Sequence, residues 1–95
     1  MYQFEYDINK SHSNLEKHGI DFEEAQKLFY DKDVIIYPTK YVEEERFFVT
    51  GLINDKFYTS IVTFRGKKIR IISTRRARKK EIQEYERAKD ENDNS

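Results

Sequence analysis

Residues 44–73 decide the fold, and their sequence is EERFFVTGLINDKFYTSIVTFRGKKIRIIS. The segments Glu44–Ile53, Phe57–Phe64 and Lys68–Ser73 are rich in aromatic and β-branched residues and have the period of two that is typical of β-strands. Asn54-Asp55-Lys56 and Arg65-Gly66-Lys67 separate these segments and contain the residues that tight turns favour. The stretch therefore predicts three consecutive strands joined by short hairpins.

Two more strands are expected outside this stretch. Val34–Tyr37 is a short apolar run that precedes the first hairpin, and it predicts a fourth antiparallel strand. At the N-terminus Tyr2, Phe4 and Tyr6 alternate with polar residues, which suits another short strand.

Helices are expected between these strands and after them. Asp7 can cap a helix that runs through Lys17, with Gly19 placed for a left-handed C-cap. Asp21 opens a second helix, with Glu24 in the capping-box position, that ends near Tyr30. From about Thr74 the pattern becomes helical again. The order of strand, two helices, four-stranded antiparallel sheet and C-terminal helix predicts an α+β fold.

Composition limits the class of protein. Ninety-five residues suffice for one domain, which we expect over 1–89, with an acidic disordered tail at 90–95. No cysteine is present, which favours a reducing cytoplasmic setting. The apolar runs are too short for a membrane span, and Met1–Asp7 has acids where a signal peptide would have a basic start.

The net charge of zero hides a strong segregation. Residues 65–80, the basic segment, carry nine basic and no acidic side chains, whereas 1–64 carry a net −5 and 81–95 a net −4. The N-terminus of a helix carries partial positive charge, which disfavours cations in its first turns. Five cations are expected in the first turns of the last helix: Arg75, Arg76, Arg78, Lys79 and Lys80. A site that holds phosphates explains such a placement, while a solvated charged face and an acidic protein partner remain alternatives.

Candidates for chemistry lie outside the basic segment. His18 closes the first helix, where it serves equally well as a dipole-stabilised structural residue or as a proton-transfer group. Glu44 and Arg46 share one side of a strand, which suits a general base beside a phosphate-stabilising cation or simply an exposed ion pair. Strand aromatics usually belong to the core, and stacking on unpaired bases is the alternative for four of them close to the basic segment, above all for Tyr58 or Tyr85: Phe57, Tyr58, Phe64 and Tyr85. The two histidines are badly spaced for a metal site.

Three ordered motifs span Phe4–Ala25, Glu44–Gly51 and Ile69–Glu86, and taken together they resemble the signature of the BrnT family of toxins. The first is Phe4-Glu5-Tyr6-Asp7 with Lys10, Asn14, Lys17-His18-Gly19-Ile20 and Phe22-Glu23-Glu24-Ala25. The second is Glu44-Glu45-Arg46 followed by Gly51, and the third is Ile69–Ala77 with Glu81 and Tyr85-Glu86. Tyr6 and Thr74 replace a usual Trp and Ala, and Thr63-Phe64 stands where a Tyr-Thr pair is common.

The resemblance implies a ribonuclease toxin of a type II toxin–antitoxin system with a RelE-like fold. Such a toxin cleaves RNA without a metal or other cofactor, halts translation, and is neutralised by a BrnA-like antitoxin in a 2:2 heterotetramer. On this hypothesis Arg46, Arg70 and Arg75 contact the phosphate and the transition state, and Lys17, His18 and Glu44 transfer protons, with His18 the first choice. The residues expected to bind the RNA backbone are Arg65, Lys67, Lys68, Arg76, Arg78, Lys79 and Lys80.

Two other functions compete with this one. A non-enzymatic module that binds nucleic acid or an antitoxin, having lost activity, would share the same charge pattern. A DNA-binding repressor is less favoured, because no helix-turn-helix with an exposed recognition helix is visible.

Overall fold

The computed structural model describes residues 2–40 and 45–93, which form a five-stranded mixed sheet with helices on both faces. The strand order is β1-β5-β4-β3-β2. The strands are β1 (Gln3–Glu5), β2 (Ile35–Pro38), β3 (Phe47–Ile53), β4 (Lys56–Arg65) and β5 (Lys68–Arg76), and the helices are α1 (Ile8–His18), α2 (Phe22–Ala25) and α3 (Lys79–Asp93).

The antiparallel run from β2 to β5 confirms the prediction made from residues 34–73. Asn54 and Asp55 connect β3 to β4 with φ of 51° and 66°, the left-handed conformation that a two-residue hairpin turn requires. Gly66 provides the same conformation between β4 and β5, with φ of 59°. The turn residues therefore fix the hairpins, as the sequence indicates.

The prediction of a sheet with four antiparallel strands is incomplete, because the sheet has a fifth strand, β1. Gln3, Phe4 and Glu5 pair in parallel with Lys68, Ile69 and Arg70 of β5. Alternation identifies β1 as a strand but does not identify its partner. The outer edge of β5 offers unpaired backbone groups that β1 satisfies, and this makes the sheet mixed.

The main core lies between the sheet and the helices that precede β2. Asp7 caps α1, Gly19 ends it with φ of 72°, and Asp21 caps α2, all as predicted. The second predicted helix changes to a 3₁₀ helix over Gln26–Tyr30. The buried apolar residues here are Ile20, Phe22, Ala25, Leu28, Phe29, Val49, Ile53, Val62, Ile69 and Ile71.

The last helix begins later than predicted. We expected helix from about Thr74, but β5 continues to Arg76 because its ladder with β4 extends to the pair Tyr58–Arg76. Thr74 is fully buried and exchanges two hydrogen bonds with the Asn14 side chain of α1. Arg75 and Arg76 are therefore strand residues, and the dipole argument made from the sequence does not apply to them.

Helix α3 packs on the other face of the sheet, which we call the α3 face. Tyr85 is its buried anchor: the ring packs on Phe57, and the hydroxyl donates to Asp31 Oδ2 at 2.8 Å. The same oxygen accepts the Leu52 N–H at 2.8 Å, and a Cβ at Gly51 would lie 2.9 Å from it. Asp31 thus joins α3 to the edge of β3, and Gly51 leaves room for it.

The end of α3 includes residues 90–93 of the expected tail, and these four residues are exposed. None of the helices in the described ranges is long and apolar enough to cross a membrane.

Candidate nucleic-acid interface

The basic segment does not form one compact patch, because most of it is the extended strand β5. Its seven exposed cations fall into two groups about 25 Å apart along the strand. The turn cluster consists of Arg65, Lys67 and Lys68, and the junction cluster of Arg76, Arg78, Lys79 and Lys80. Between them the half-buried Arg70 and Arg75 occupy the strand itself.

A β-bulge in β5 turns Arg75 away from the core. Val62 pairs with Ile71 and Ile61 with Ser73, so Ile72 is an extra residue in the ladder. The extra residue reverses the alternation that follows it, since side chains alternate between the two faces of a sheet. As a result Arg70 and Arg75 both project from the α3 face, whereas a regular strand would direct Arg75 toward the core.

Arg75 forms a bidentate ion pair with Glu81 of α3. Arg75 Nη1 and Nη2 lie 2.8 Å and 2.9 Å from Glu81 Oε1 and Oε2, and the two side chains are only 20% and 12% exposed. Glu81 also accepts the Arg78 N–H at 2.8 Å, which is the backward contact of a capping box. The pair therefore fixes Arg75 and the first turn of α3 together.

A chain of hydroxyl groups leads to the same carboxylate. Thr59 Oγ1 donates to Glu81 Oε1 at 2.9 Å, and Thr50 Oγ1 lies 2.8 Å from Thr59 Oγ1. A hydroxyl group has one hydrogen, and that of Thr59 is already donated to Glu81. In the hydrogen bond between the two threonines, Thr50 is therefore the donor and Thr59 the acceptor. Tyr37 is hydrogen bonded to Thr50 in turn. We refer to Tyr37, Thr50, Thr59, Arg75 and Glu81 as the Arg75–Glu81 network.

The network sets the ionisation of its members. Burial raises the pKa of Glu81, but the hydrogen bonds from Arg75, the Arg78 N–H and Thr59, with the Arg75 charge, outweigh it and lower the pKa to about 2. The hydrogen bond with Glu81 raises the pKa of Arg75, and burial raises that of Tyr37. At neutral pH Glu81 is ionised, and a carboxylate of such low pKa is a poor proton carrier.

Arg46 and Arg70 lie on either side of β4, toward the other end of the sheet from Arg75. Arg70 pairs with Thr63 in the ladder, and Thr63 Oγ1 donates to the Glu45 carbonyl at 2.9 Å. The backbones of Arg46 and Arg70 therefore flank Thr63, about 10 Å apart. Arg70 has a loose ion pair with Glu5, at 3.5 Å. Arg75 is about 16 Å further along β5.

The predicted proton-transfer residues are not gathered around Arg75 in the part of the chain that the structure describes. Lys17 and His18 are exposed at the end of α1, which packs on the face opposite Arg75. Glu44 lies outside the described residues. The catalytic roles of these three side chains therefore stay predictions. Within residues 2–40 and 45–93, no group of three histidine or acidic side chains is arranged to hold a metal ion.

Among the aromatic candidates, Tyr85 is a core residue, and its burial excludes the alternative role in stacking. Its side chain is 2% exposed, and burial together with the hydrogen bond to Asp31 raises its pKa. Tyr58 is half-buried beneath the Arg76 guanidinium, whose Cζ is 5.5 Å from the ring centroid. Phe64 is exposed, with its ring against Phe47.

The sequence analysis missed a groove on the α3 face. It lies between β2, β3 and the first turns of α3, has a volume of about 610 Å³, and is lined by Tyr37 and Phe48 on the sheet side. Arg78, Lys80, Glu81 and Glu84 line the helical side. The signal for Glu81 was its position three residues after Arg78, which predicts a cap once the helix start is known.

Comparison with known proteins adds one match. A family model described as the ribonuclease toxin BrnT of type II toxin–antitoxin systems matches residues 6–81. No curated protein sequence is significantly similar to the chain.

Proposed function

Because the chain belongs to the BrnT family of ribonuclease toxins of type II toxin–antitoxin systems, we propose that it cleaves RNA bound along the α3 face of its sheet. The observation that carries the proposal is the bulge at Ile72, which turns Arg70 and Arg75 to one face between two exposed clusters of cations. A polyanion lying along β5 would meet the turn cluster, Arg70, Arg75 and the junction cluster in succession. The exposed cations would neutralise its backbone, with the exception of Arg76, whose guanidinium lies over Tyr58 on the core face of the sheet.

The proposed reaction is attack of the 2′-hydroxyl on the neighbouring phosphate. It requires a base for the hydroxyl, cations for the pentacoordinate phosphorane, and an acid for the leaving 5′-oxygen. Arg46, Arg70 and Arg75 would stabilise the phosphorane, because guanidinium groups match phosphate oxygens bidentately. Lys17, His18 and Glu44 are the proposed proton carriers, with His18 first on the ground of its pKa range. Glu81 would hold Arg75 in position rather than carry a proton.

The same proposal includes the partners. A BrnA-like antitoxin would neutralise the toxin in a 2:2 heterotetramer in the cytoplasm, and free toxin would inhibit translation. A RelE-like fold and metal-independent cleavage belong to the proposal as well. The acidic groups of an antitoxin that occludes RNA would face the basic segment.

One observation favours a second function, an RNA- or antitoxin-binding module without activity. Glu81 already occupies both terminal nitrogens of Arg75, so this guanidinium is less available to a phosphate than Arg70 is. In a pure binding module the network would only connect β5 to α3.

Cleavage of a labelled RNA in EDTA distinguishes the two functions. We expect the purified protein to produce fragments that end in 2′,3′-cyclic phosphate, and Arg70→Ala to lower the rate at least 100-fold, as removal of one transition-state donor does. The cleavage rates of His18→Ala and Arg75→Ala are measured in the same assay. Lys27→Ala is the control, because Lys27 is an exposed cation that pairs with Glu24 outside the basic segment and outside the α3 face.

Binding of RNA with no cleavage, and no growth defect on expression, would support the module instead. Full activity in both His18→Ala and Arg75→Ala would remove those two residues from the mechanism. Activity that EDTA abolishes and added metal restores would overturn metal independence.

A further inference from the structure

The groove on the α3 face has an aromatic floor that is held in place. Tyr37 and Phe48 are directly opposite each other on β2 and β3, with ring centroids 5.4 Å apart and an angle of 42° between the rings. The Tyr37 hydroxyl is fixed by its hydrogen bond with Thr50. Both side chains are half-buried and keep surface in the groove. A floor of this kind can bind a flat ring with little loss of side-chain entropy.

The charges around the groove select an anionic occupant. Glu81 is neutralised by Arg75, and Glu84 is paired with Arg87 at 2.6 Å. Arg78 and Lys80 are exposed at the helical wall and form no ion pair with any residue in the described ranges. Within the described ranges both acids of the lining are therefore paired, whereas Arg78 and Lys80, which belong to the junction cluster, stay open. A third cation of the lining, Lys40, is also exposed.

A volume of about 610 Å³ is within the range of sites for small planar ligands. An unpaired nucleotide combines a flat π-surface with a phosphate on each side, which matches the aromatic floor and the cationic wall. An acidic peptide would satisfy the cations but would leave the two rings without a flat partner.

We propose that this groove binds an unpaired base of single-stranded RNA, which stacks on Phe48 or Tyr37 while Arg78 and Lys80 hold the flanking phosphates. The inference rests on the proposed function and deepens it, because it states that the substrate is single-stranded at this point and names the residues that sense the base. Tyr37, Phe48, Arg78 and Lys80 are binding residues in this proposal, separate from the cations assigned to the phosphorane.

Binding of a 2′-O-methylated single-stranded oligonucleotide in EDTA tests the groove without cleavage, since the attacking hydroxyl is blocked. We expect Phe48→Leu and Tyr37→Leu each to weaken binding about fivefold or more, the usual loss for one stacked base. Tyr37→Phe keeps the ring but loses the hydrogen bond with Thr50, so it should bind more tightly than Tyr37→Leu. A fluorescent base analogue in the oligonucleotide should be quenched on binding to the original chain and less so on binding to Phe48→Leu.

Tyr30→Leu is the matched control. Tyr30 is an exposed aromatic residue that packs on Tyr2 beside β1, at the opposite edge of the sheet from β2. Its loss should leave affinity and quenching unchanged. Arg78→Gln and Lys80→Gln should each reduce the slope of log K against log salt by about 0.7, the value for one phosphate contact with a single strand. Circular dichroism of each variant confirms that it is folded.

Unchanged affinity and quenching in Phe48→Leu and Tyr37→Leu, with normal RNA binding by the original chain, would overturn the groove assignment alone. If those variants instead lose affinity for an antitoxin and keep their affinity for RNA, the groove is a protein-docking site and the inference is wrong. Failure of the original chain to bind any RNA would overturn the proposed function itself.

Discussion

At the scale of single residues, Glu81 connects β4, β5 and the start of α3. It binds Arg75 of β5, Thr59 of β4 and the N–H at the start of its own helix. All of these contacts are stronger with the ionised carboxylate, because a protonated carboxyl offers fewer acceptor positions and no charge. The stability of the fold should therefore depend on the ionisation of this one group.

We expect Glu81 to make the protein sensitive to acid. Its folded-state pKa of about 2 lies below the unfolded value near 4.5, so its contribution is present above pH 4.5 and is lost as the pH falls toward 2. After allowance for solvent screening, the contribution at pH 7 is about 1 to 2 kcal/mol. Urea unfolding at pH 7 and pH 3 should show a smaller acid-induced loss in Glu81→Gln than in the original chain.

Glu84→Gln is the control for Glu81, because Glu84 forms only an exposed pair with Arg87. Its substitution should leave the acid-induced loss of stability nearly unchanged. An equal loss in Glu81→Gln and the original chain would mean that the Arg75–Glu81 network does not stabilise the folded state.

At the scale of elements, the docking of α3 depends on a missing side chain in β3. Gly51 leaves room for Asp31, which receives hydrogen bonds from Leu52 and Tyr85. We expect Gly51→Ala to lower the free energy of unfolding by about 1 to 3 kcal/mol, because a Cβ there lies 2.9 Å from a carboxylate oxygen. Chemical denaturation measures the loss.

Tyr85→Phe separates the hydrogen bond from the crowding at Gly51. It removes only the hydroxyl that donates to Asp31, and we expect a loss of about 1 kcal/mol. If Gly51→Ala is as stable as the original chain, Asp31 can move away without cost, and the close approach has no structural role.

The sequence was informative where local chemistry decides the structure. Asp7, Gly19, Asn54-Asp55 and Gly66 specify caps and turns through their own backbone preferences, and each was predicted. The parallel pairing of β1 and the extension of β5 to Arg76 depend on partners distant in sequence, which a local pattern does not contain.

The candidate site was predicted only in part for the same reason. The cations of 65–80 are visible in the composition, but their division into two clusters follows from the length of β5. The bulge at Ile72 determines which face of the sheet Arg75 projects from. The sequence around Ile72 contains no glycine or proline that would predict a bulge there. The groove combines Tyr37 of β2 with Arg78 near α3, two residues that are brought together only by the tertiary fold.

At the scale of the whole molecule, the neutral total charge and the concentrated basic segment have opposite effects. Neutrality reduces general attraction to polyanions, while the clusters along β5 attract an acidic partner locally. Contacts of this kind are screened by salt over about 10 Å at 0.1 M. The strength of the complex with the antitoxin should therefore depend on ionic strength.

We expect the toxin–antitoxin dissociation constant to rise about tenfold or more between 50 mM and 500 mM salt, because charge pairs at an occluded basic surface are weakened. Titration calorimetry at several salt concentrations measures it. The double variant Lys79→Gln/Lys80→Gln should flatten this dependence, whereas Arg87→Gln/Lys89→Gln, which removes equal charge elsewhere on α3, should not. An affinity that is constant with salt would indicate a mainly apolar interface away from the basic segment.

The parallel pairing of β1 with β5 also determines when the molecule can fold during synthesis. Gln3 pairs with Lys68, 65 residues later in the chain, and β4 needs the same strand on its other side. While β5 is still inside the ribosome, β1 and β4 have no β5 to pair with. The two half-buried arginines of β5, Arg70 and Arg75, are missing from the α3 face at that stage. The sheet is complete only after β5 emerges, so most of the chain must be synthesised before the whole α3 face can form.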